Sequence, residues 1–216
     1  MKTYNSIPHF DESLYGLDTI AFDKLDGSNM RFEWNKKRGF FKFGTRREMI
    51  NEYHPMFGYG VDLFMEKYSE DLERVFMSHK EYKHSRNFVC FAEYVGPQSF
   101  AGQHYDKKED MDIILFDVCQ FQKGFISASQ LLDHFGHLHL PDIVYKGEIT
   151  EELVNDIKNN TDLDEGVIFN GDGFRKKGQP YSWKCKLKTI NWLNKVKNKL
   201  GQEAIDEDIG DSKIYL

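Results

Sequence analysis

Apolar and polar positions alternate or cluster in the manner of strands over residues 19–24, 30–34 and 39–43. Turn chemistry at Asp26-Gly27 and Arg38-Gly39 separates these runs. Leu63/Phe64, Tyr68, Leu72 and Val75/Phe76 recur at helical spacing, which predicts an amphipathic helix over 60–79. Short, strongly apolar runs predict strands at 87–96 and 111–118, joined by a polar loop. Short helices follow at 127–136, entered at Ser127, and at 150–158, capped by Thr150. Strands at 166–170 and 181–187 lead to a last helix from about 189 to Leu200, stopped by Gly201. Strands outnumber helices and do not alternate with them regularly. The pattern therefore favours an α+β fold with antiparallel sheets flanked by helices over a doubly wound one. No repeat, low-complexity linker or clear domain boundary interrupts it.

At 216 residues the chain is long enough for one sizeable core, or one domain with a small appendage. Its charged and aromatic content excludes a disordered tail. No stretch is apolar for long enough to span a bilayer, and Met1-Lys2-Thr3-Tyr4-Asn5 lacks a signal-peptide core. Cys90, Cys119 and Cys185 are far apart, each in a hydrophobic run, and read as buried free thiols of a reducing compartment. These features predict a cytoplasmic protein without a membrane partner.

Charge adds a refinement. A net charge of −6 argues against an indiscriminate polyanion binder. Yet Arg175 to Lys199 contains nine basic residues and no acid, between acidic stretches at 148–165 and 203–211. A local basic stretch on an acidic body suits a phosphate-bearing partner held at one site. For Lys195, Lys197 and Lys199, a solvated helix face explains the charge as well.

Five segments carry candidate chemistry. Phe22-Asp23-Lys24-Leu25-Asp26-Gly27-Ser28-Asn29 places a lysine where one strand ends and the next begins, with Gly27 permitting a tight turn or close approach to a ligand. A solvated charge at a hairpin is the plainer explanation of Lys24. In Tyr181-Ser182-Trp183-Lys184-Cys185-Lys186-Leu187-Lys188, alternation sets Lys184, Lys186 and Lys188 on one face. Three lysines in a row repel one another, so either all face water at an edge or an anion neutralises them. Glu93 shares a face with Val89, Phe91 and Val95, which demands a cation, a metal or a hydrogen-bond donor; a structural pair with a buried arginine would also serve. Glu165 stands at the mouth of the strand at Gly166, and Phe116-Asp117 ends another apolar run, where Phe116 is as readily core. His137-Leu138-His139 with His134 and Asp142 lacks the rest of a convincing metal-ligand set.

Taken in order, these segments resemble the covalent nucleotidyltransferase superfamily of ATP-dependent nucleic-acid ligases and capping enzymes. Lys24-Leu25-Asp26-Gly27-Ser28-Asn29 resembles the nucleotidyl-lysine motif, and Thr45-Arg46-Arg47 the arginine-bearing motif after it. The two middle motifs are matched by Phe91-Ala92-Glu93-Tyr94-Val95-Gly96-Pro97 and Ile114-Leu115-Phe116-Asp117-Val118. The last two are matched by Glu165-Gly166-Val167-Ile168 and Trp183-Lys184-Cys185-Lys186. Asn29, the Glu-aromatic-x-Gly-Pro run and the Lys-Cys-Lys triplet look nearest to the RNA ligase 2 branch. The resemblance implies a nucleotidyltransferase (ATP-grasp-like ligase adenylation) domain over residues 1–200, with 201–216 as an acidic tail.

The activity so implied is RNA joining through lysyl-AMP, with ATP and Mg²⁺ or Mn²⁺ as cofactors and RNA bearing 5′-phosphate and 3′-hydroxyl ends as partner. Lys24 would be the nucleophile, and Lys184 and Lys186 would grip the ATP phosphates. Arg46 would bind phosphate or the RNA terminus, Asn29 would assist there, and Glu93 would contact the ribose. Phe116 would stack on adenine, Glu165 would hold the metal or its water shell, and Asp23 completes the cofactor-binding set. A free lysine has a pKa near 10.4, so well under about one part in a thousand is neutral at pH 7, and nearby cations would raise that share. Family ligases usually carry a further C-terminal domain, whereas about thirty residues follow Lys186 here, too few for an OB-type strand series. Self-adenylylation is thus the firmer expectation, with an accessory protein a candidate partner for sealing. The alternatives are a DNA ligase, a GTP-using capping-type enzyme, or a non-catalytic RNA- or nucleotide-binding module that keeps the pocket.

Overall fold

The computed structural model describes residues 1–96, 111–163, 165–174 and 180–203. Pro97, Asp164, Arg175, Lys176, Lys177 and the tail from Ala204 onward lie outside the described residues. The chain divides into two compact units, Met1–Tyr4 with Asp26–Leu140, and Asn5–Leu25 with Pro141–Leu216. It is α+β, with antiparallel pairing in both of its sheets.

The unit formed by Met1–Tyr4 and Asp26–Leu140 is built on a six-stranded sheet. Its strands are β2 (Ser28–Asn35), β3 (Gly39–Thr45), β4 (Met49–Ile50), β5 (Asn87–Val95), β6 (Asp112–Gln120) and β7 (Gly124–Phe125), in the order β4-β3-β2-β5-β6-β7. Met30, Phe32 and Trp34 alternate onto the face that packs against the apolar stripe of helix α1 (Gly58–Ser78). Phe32 stacks on Phe64 at 3.6 Å between ring centroids, and Phe76 on Phe88 at 4.0 Å. Such aromatic pairs supply much of this core's buried area. Gly60 lets α1 approach closely, because a Cβ there would lie 2.7 Å from the Met30 sulfur. Helix α2 (Ala128–Phe135) adds Leu131 and Phe135 to the same core, and its Ser127–Gln130 capping box satisfies the first-turn amides.

The other unit carries a four-stranded sheet of β1 (Asp18–Asp23), β8 (Ile143–Glu148), β9 (Gly166–Phe174) and β10 (Pro180–Lys188), in the order β10-β9-β1-β8. Ala21, Val167, Phe169, Cys185 and Leu187 turn to one face and form a core with Val154 and Ile157 of helix α3 (Glu151–Asn159). Helix α4 (Ile190–Leu200) starts on the buried Thr189 cap and stops at Gly201, whose φ of +89° suits glycine.

The predicted elements occur, with boundaries shifted by a few residues. Strands β4, β7 and β8 were not anticipated: β4 and β7 are two residues each, and β8 is largely exposed. Strands β1 and β2 do not pair as a hairpin, because they belong to different sheets. The three cysteines are free and buried, and burial pushes the Cys185 thiol up to about 12. Among the described residues, no helix is long and apolar enough to cross a membrane.

Candidate active site

Lys24 follows directly on β1, the strand held between β8 and β9. Its amide donates to the Gly166 carbonyl at 2.9 Å, which extends the β1–β9 pairing by one residue. The register then decides which side chains share its face. Phe22 lies opposite Ile168 and Ile168 opposite Lys186, while Ile20, Asn170 and Lys184 form the next such row. Gly166, the hydrogen-bond partner of Lys24, stands opposite Lys188. Directly opposed residues project to the same side, so Lys24, Lys184, Lys186 and Lys188 share one face of this sheet. Asp23 stands opposite Val167, on the face of the hydrophobic core.

Glu165 ties this cationic face together. Its Oε2 accepts from the Lys24 ammonium and its Oε1 lies 2.8 Å from Lys188 Nζ. Glu165 and Lys188 are both buried. Burial by itself raises the Glu165 pKa, but the charges of Lys24 and Lys188 outweigh it and hold the carboxyl below its usual range. On its other side, Lys188 Nζ sits 3.8 Å from the Trp192 ring centroid, a cation–π contact made by the first turn of α4. Of the two explanations for a lysine row, exposure to water fails: Lys186 and Lys188 are buried, and an anion meets Lys188. Nor is β10 a bare edge at Lys186, since the Lys186 amide and carbonyl pair with Pro8 and Phe10.

Gly166 makes the junction possible. Its φ is +147°, and a Cβ there would lie 2.0 Å from the Leu187 carbonyl oxygen. Only glycine allows the chain to pass from Glu165 into β9 this close to β10.

Asn29, Arg46, Glu93 and Phe116 belong to the six-stranded unit. Asn29 stands directly opposite Glu93 across β2 and β5, and Asn29 Oδ1 is buried without a hydrogen-bond donor among the described residues. Gly27 lies against the same end of β5: a Cβ would come within 2.6 Å of the Tyr94 carbonyl and 2.9 Å of Glu93 Cγ. The buried Arg31, the arginine nearest in kind to the structural partner considered for Glu93, donates to the Met1 and Lys2 carbonyls at 3.4 and 3.2 Å. Arg46 is exposed in the turn between β3 and β4. Phe116 sits at a bulge in β6, half-buried, with Tyr4 edge-on at 5.1 Å.

Sequence reasoning missed Tyr4 and gave Lys188 no role. Tyr4 donates to the buried Asp117 at 2.8 Å, and burial first, then the charges of Asp117 and Glu93, raise its pKa while Arg46 opposes them. A tyrosine four residues from the N-terminus carries no periodic signal. Lys188 was visible in the alternation of β10, but its pairing with Glu165 is a tertiary fact.

A family model described as RNA ligase matches residues 18–186. Solved structures of Naegleria gruberi RNA ligase share the fold. The form with PPi superposes with a TM-score of 0.58 at 16% identity, over 91% of this chain and 58% of that one. A mutant with ATP and Mn gives 0.55 at 18%, over 87% and 54%. A mutant with AMP and Mn gives 0.55 at 17%, over the same shares of 87% and 54%. This chain thus spans somewhat more than half the length of the structures it matches. No curated protein matches it. The order of the motifs, the lysine on its cationic sheet face and the match over residues 18–186 agree, and the chain belongs to the RNA ligase family.

Proposed function

We propose that this protein is an ATP-dependent RNA ligase that works through lysyl-AMP at Lys24. The observation that carries the reading is the cationic face of the four-stranded sheet, where Lys24, Lys184, Lys186 and Lys188 project together and Glu165 holds the Lys24 ammonium.

In the first step Lys24 Nζ sheds a proton and its lone pair attacks the α-phosphorus of ATP. A P–N bond forms, the bond between the α-phosphorus and the bridging oxygen breaks, and pyrophosphate leaves with that electron pair. Lys184 and Lys186 meet the charge on the phosphates as it grows. In the second step a 5′-phosphate oxygen of RNA attacks the same phosphorus and Lys24 leaves as the amine. In the third, a 3′-hydroxyl oxygen attacks the 5′-phosphorus, a phosphodiester forms and AMP departs.

Glu165 fits a hard divalent cation, Mg²⁺ or Mn²⁺. Each of its carboxylate oxygens meets one ammonium and keeps a second lone pair for a metal or its water shell. Such an ion, when bound, supplies charge neutralisation at the phosphates and competes with the Lys24 proton. Asn29 and Glu93 pair two acceptors across neighbouring strands, an arrangement suited to the hydroxyls of a ribose. Phe116 offers a half-buried aromatic face for adenine, Arg46 an exposed guanidinium for the RNA terminus, and Asp23 holds the strand end that carries the nucleophile. The RNA ends and any accessory protein for sealing form part of this proposal.

The test is labelling with ATP carrying a radioactive α-phosphate. An acid-labile, metal-dependent adduct is expected on the wild type and none on Lys24→Ala. Equal labelling of the two would refute Lys24 as nucleophile, and tight RNA binding with no adduct under any metal would favour a binding module. Competition by GTP, and sealing of nicked RNA against nicked DNA, separate the neighbouring activities.

A further inference from the structure

The C-terminal end of α1, the segment just after it and the last turn of α2 bring together His79, Glu81 and His134, whose donor atoms all lie within 4.8 Å of one another. We infer that these three residues form a binding site for a zinc-class transition-metal ion, one ion per chain, in the six-stranded unit. It involves none of the residues assigned to adenylylation.

The chemistry of the donors selects the metal. Two imidazoles and one carboxylate are borderline N/O donors, which suit Zn²⁺ with a water in the fourth position, while Mg²⁺ prefers oxygen alone. The surroundings of the donors are built as well. Tyr82 Oη lies 2.6 Å from His134 Nδ1, and Tyr82 is 1% exposed. When that phenol accepts from Nδ1–H, the Nε2 lone pair of His134 is presented for the ion. Gln130 of the capping box donates from Nε2 to Glu81 Oε2 at 2.9 Å, which steadies the carboxylate and leaves Oε1 for the ion. The rings of His79 and His134 lie 4.0 Å apart, and the Glu81 amide contact to His79 Nδ1 is long at 3.4 Å, weak enough to be given up.

The site would fasten the segment after α1 to α2, two elements whose neighbouring side chains already meet through Tyr82, Gln130 and Phe135. His134 lies 53 positions after Glu81 and 55 after His79, so sequence spacing does not associate them, and the histidines it did group, His134, His137 and His139, lacked the rest of a ligand set.

Full-length protein stripped with a chelator and titrated with Zn²⁺ against a chromophoric chelator tests the inference, with Co²⁺ absorption as a second readout. One equivalent is expected to bind the wild type, about tenfold or more weaker in each of His79→Ala, Glu81→Ala and His134→Ala. Glu81 is exposed, so its variant tests the site even where His134→Ala disturbs the packing at Tyr82. Zn²⁺ should also raise the melting temperature of the wild type, and raise that of Glu81→Ala by less at the same concentration. No binding by the wild type overturns the inference. So does undiminished binding by all three variants, which would place the ion on other histidines.

Discussion

Replacing Glu165 with glutamine tests the arrangement on which the site depends. The carboxylate is buried between the ammonium groups of Lys24 and Lys188, and its side chain and that of Lys188 are each 6% exposed. Glutamine keeps the shape and one acceptor oxygen but removes the charge, leaving Lys188 buried beside Trp192 without its counter-ion. Breaking a buried ion pair from one side typically costs about 3–5 kcal/mol. The acceptor that glutamine retains, and the water that reaches Lys24 at 21% exposure, put the expected loss near the lower end, about 3 kcal/mol. The assay is urea unfolding followed by tryptophan fluorescence, where Trp192 reports from within contact of Lys188. Because the two lysines hold the folded-state pKa of Glu165 below its unfolded value, the carboxylate contributes stability that is fully present above the unfolded value, about 4.3, and is lost as pH falls through the lower folded one. The gap between wild type and Glu165→Gln should therefore be steady from about pH 6 to 8 and close in acid below about pH 4. A gap under about 0.5 kcal/mol at pH 7, or one that widens in acid, would refute the reasoning.

Lys188→Met leaves the Glu165 charge to Lys24 alone, which favours the ammonium there; the pH profile of adenylylation should move to higher pH, and an unmoved profile with an intact adduct would deny Lys188 a positioning role. Gly166→Ala must strain a φ of +147° and displace the Leu187 carbonyl, so a loss of about 2 kcal/mol or more in unfolding free energy is expected, together with the adduct. Phe64→Ala empties the stack on Phe32 in a fully buried layer and should cost about 3–5 kcal/mol by denaturant melts. Thr189→Ala removes the buried side-chain cap on the Trp192 amide and should cost about 1 kcal/mol, a shift also seen by denaturant melts.

The sequence alone determined those elements whose signal lies within one segment. Period-2 alternation in β2 and β10, the apolar run of β5 and the apolar stripe of α1 are local patterns, and Ser127, Thr150 and Thr189 cap helices through their own neighbours' amides. Lys24, Glu165 and the lysine row could be singled out for the same reason, each standing at a strand end or on one strand face. Strand β8 escaped because its apolar part, Ile143-Val144-Tyr145, is only three residues long and none of its residues is buried; it exists by pairing with β1 rather than through any periodicity of its own.

Tertiary structure decided the rest, because it depends on which strands become neighbours. Only the β1–β9–β10 register brings Lys24 onto one face with residues some 160 positions later, and only that pairing sets Glu165 between Lys24 and Lys188. Separation of β1 and β2 into different sheets, Tyr4 against Phe116, and His79 beside His134 follow from the same cause. A linear pattern reports how a residue faces its own strand or helix. Which partner meets it there is settled by long-range packing, whose energy is gained only when the whole sheet closes.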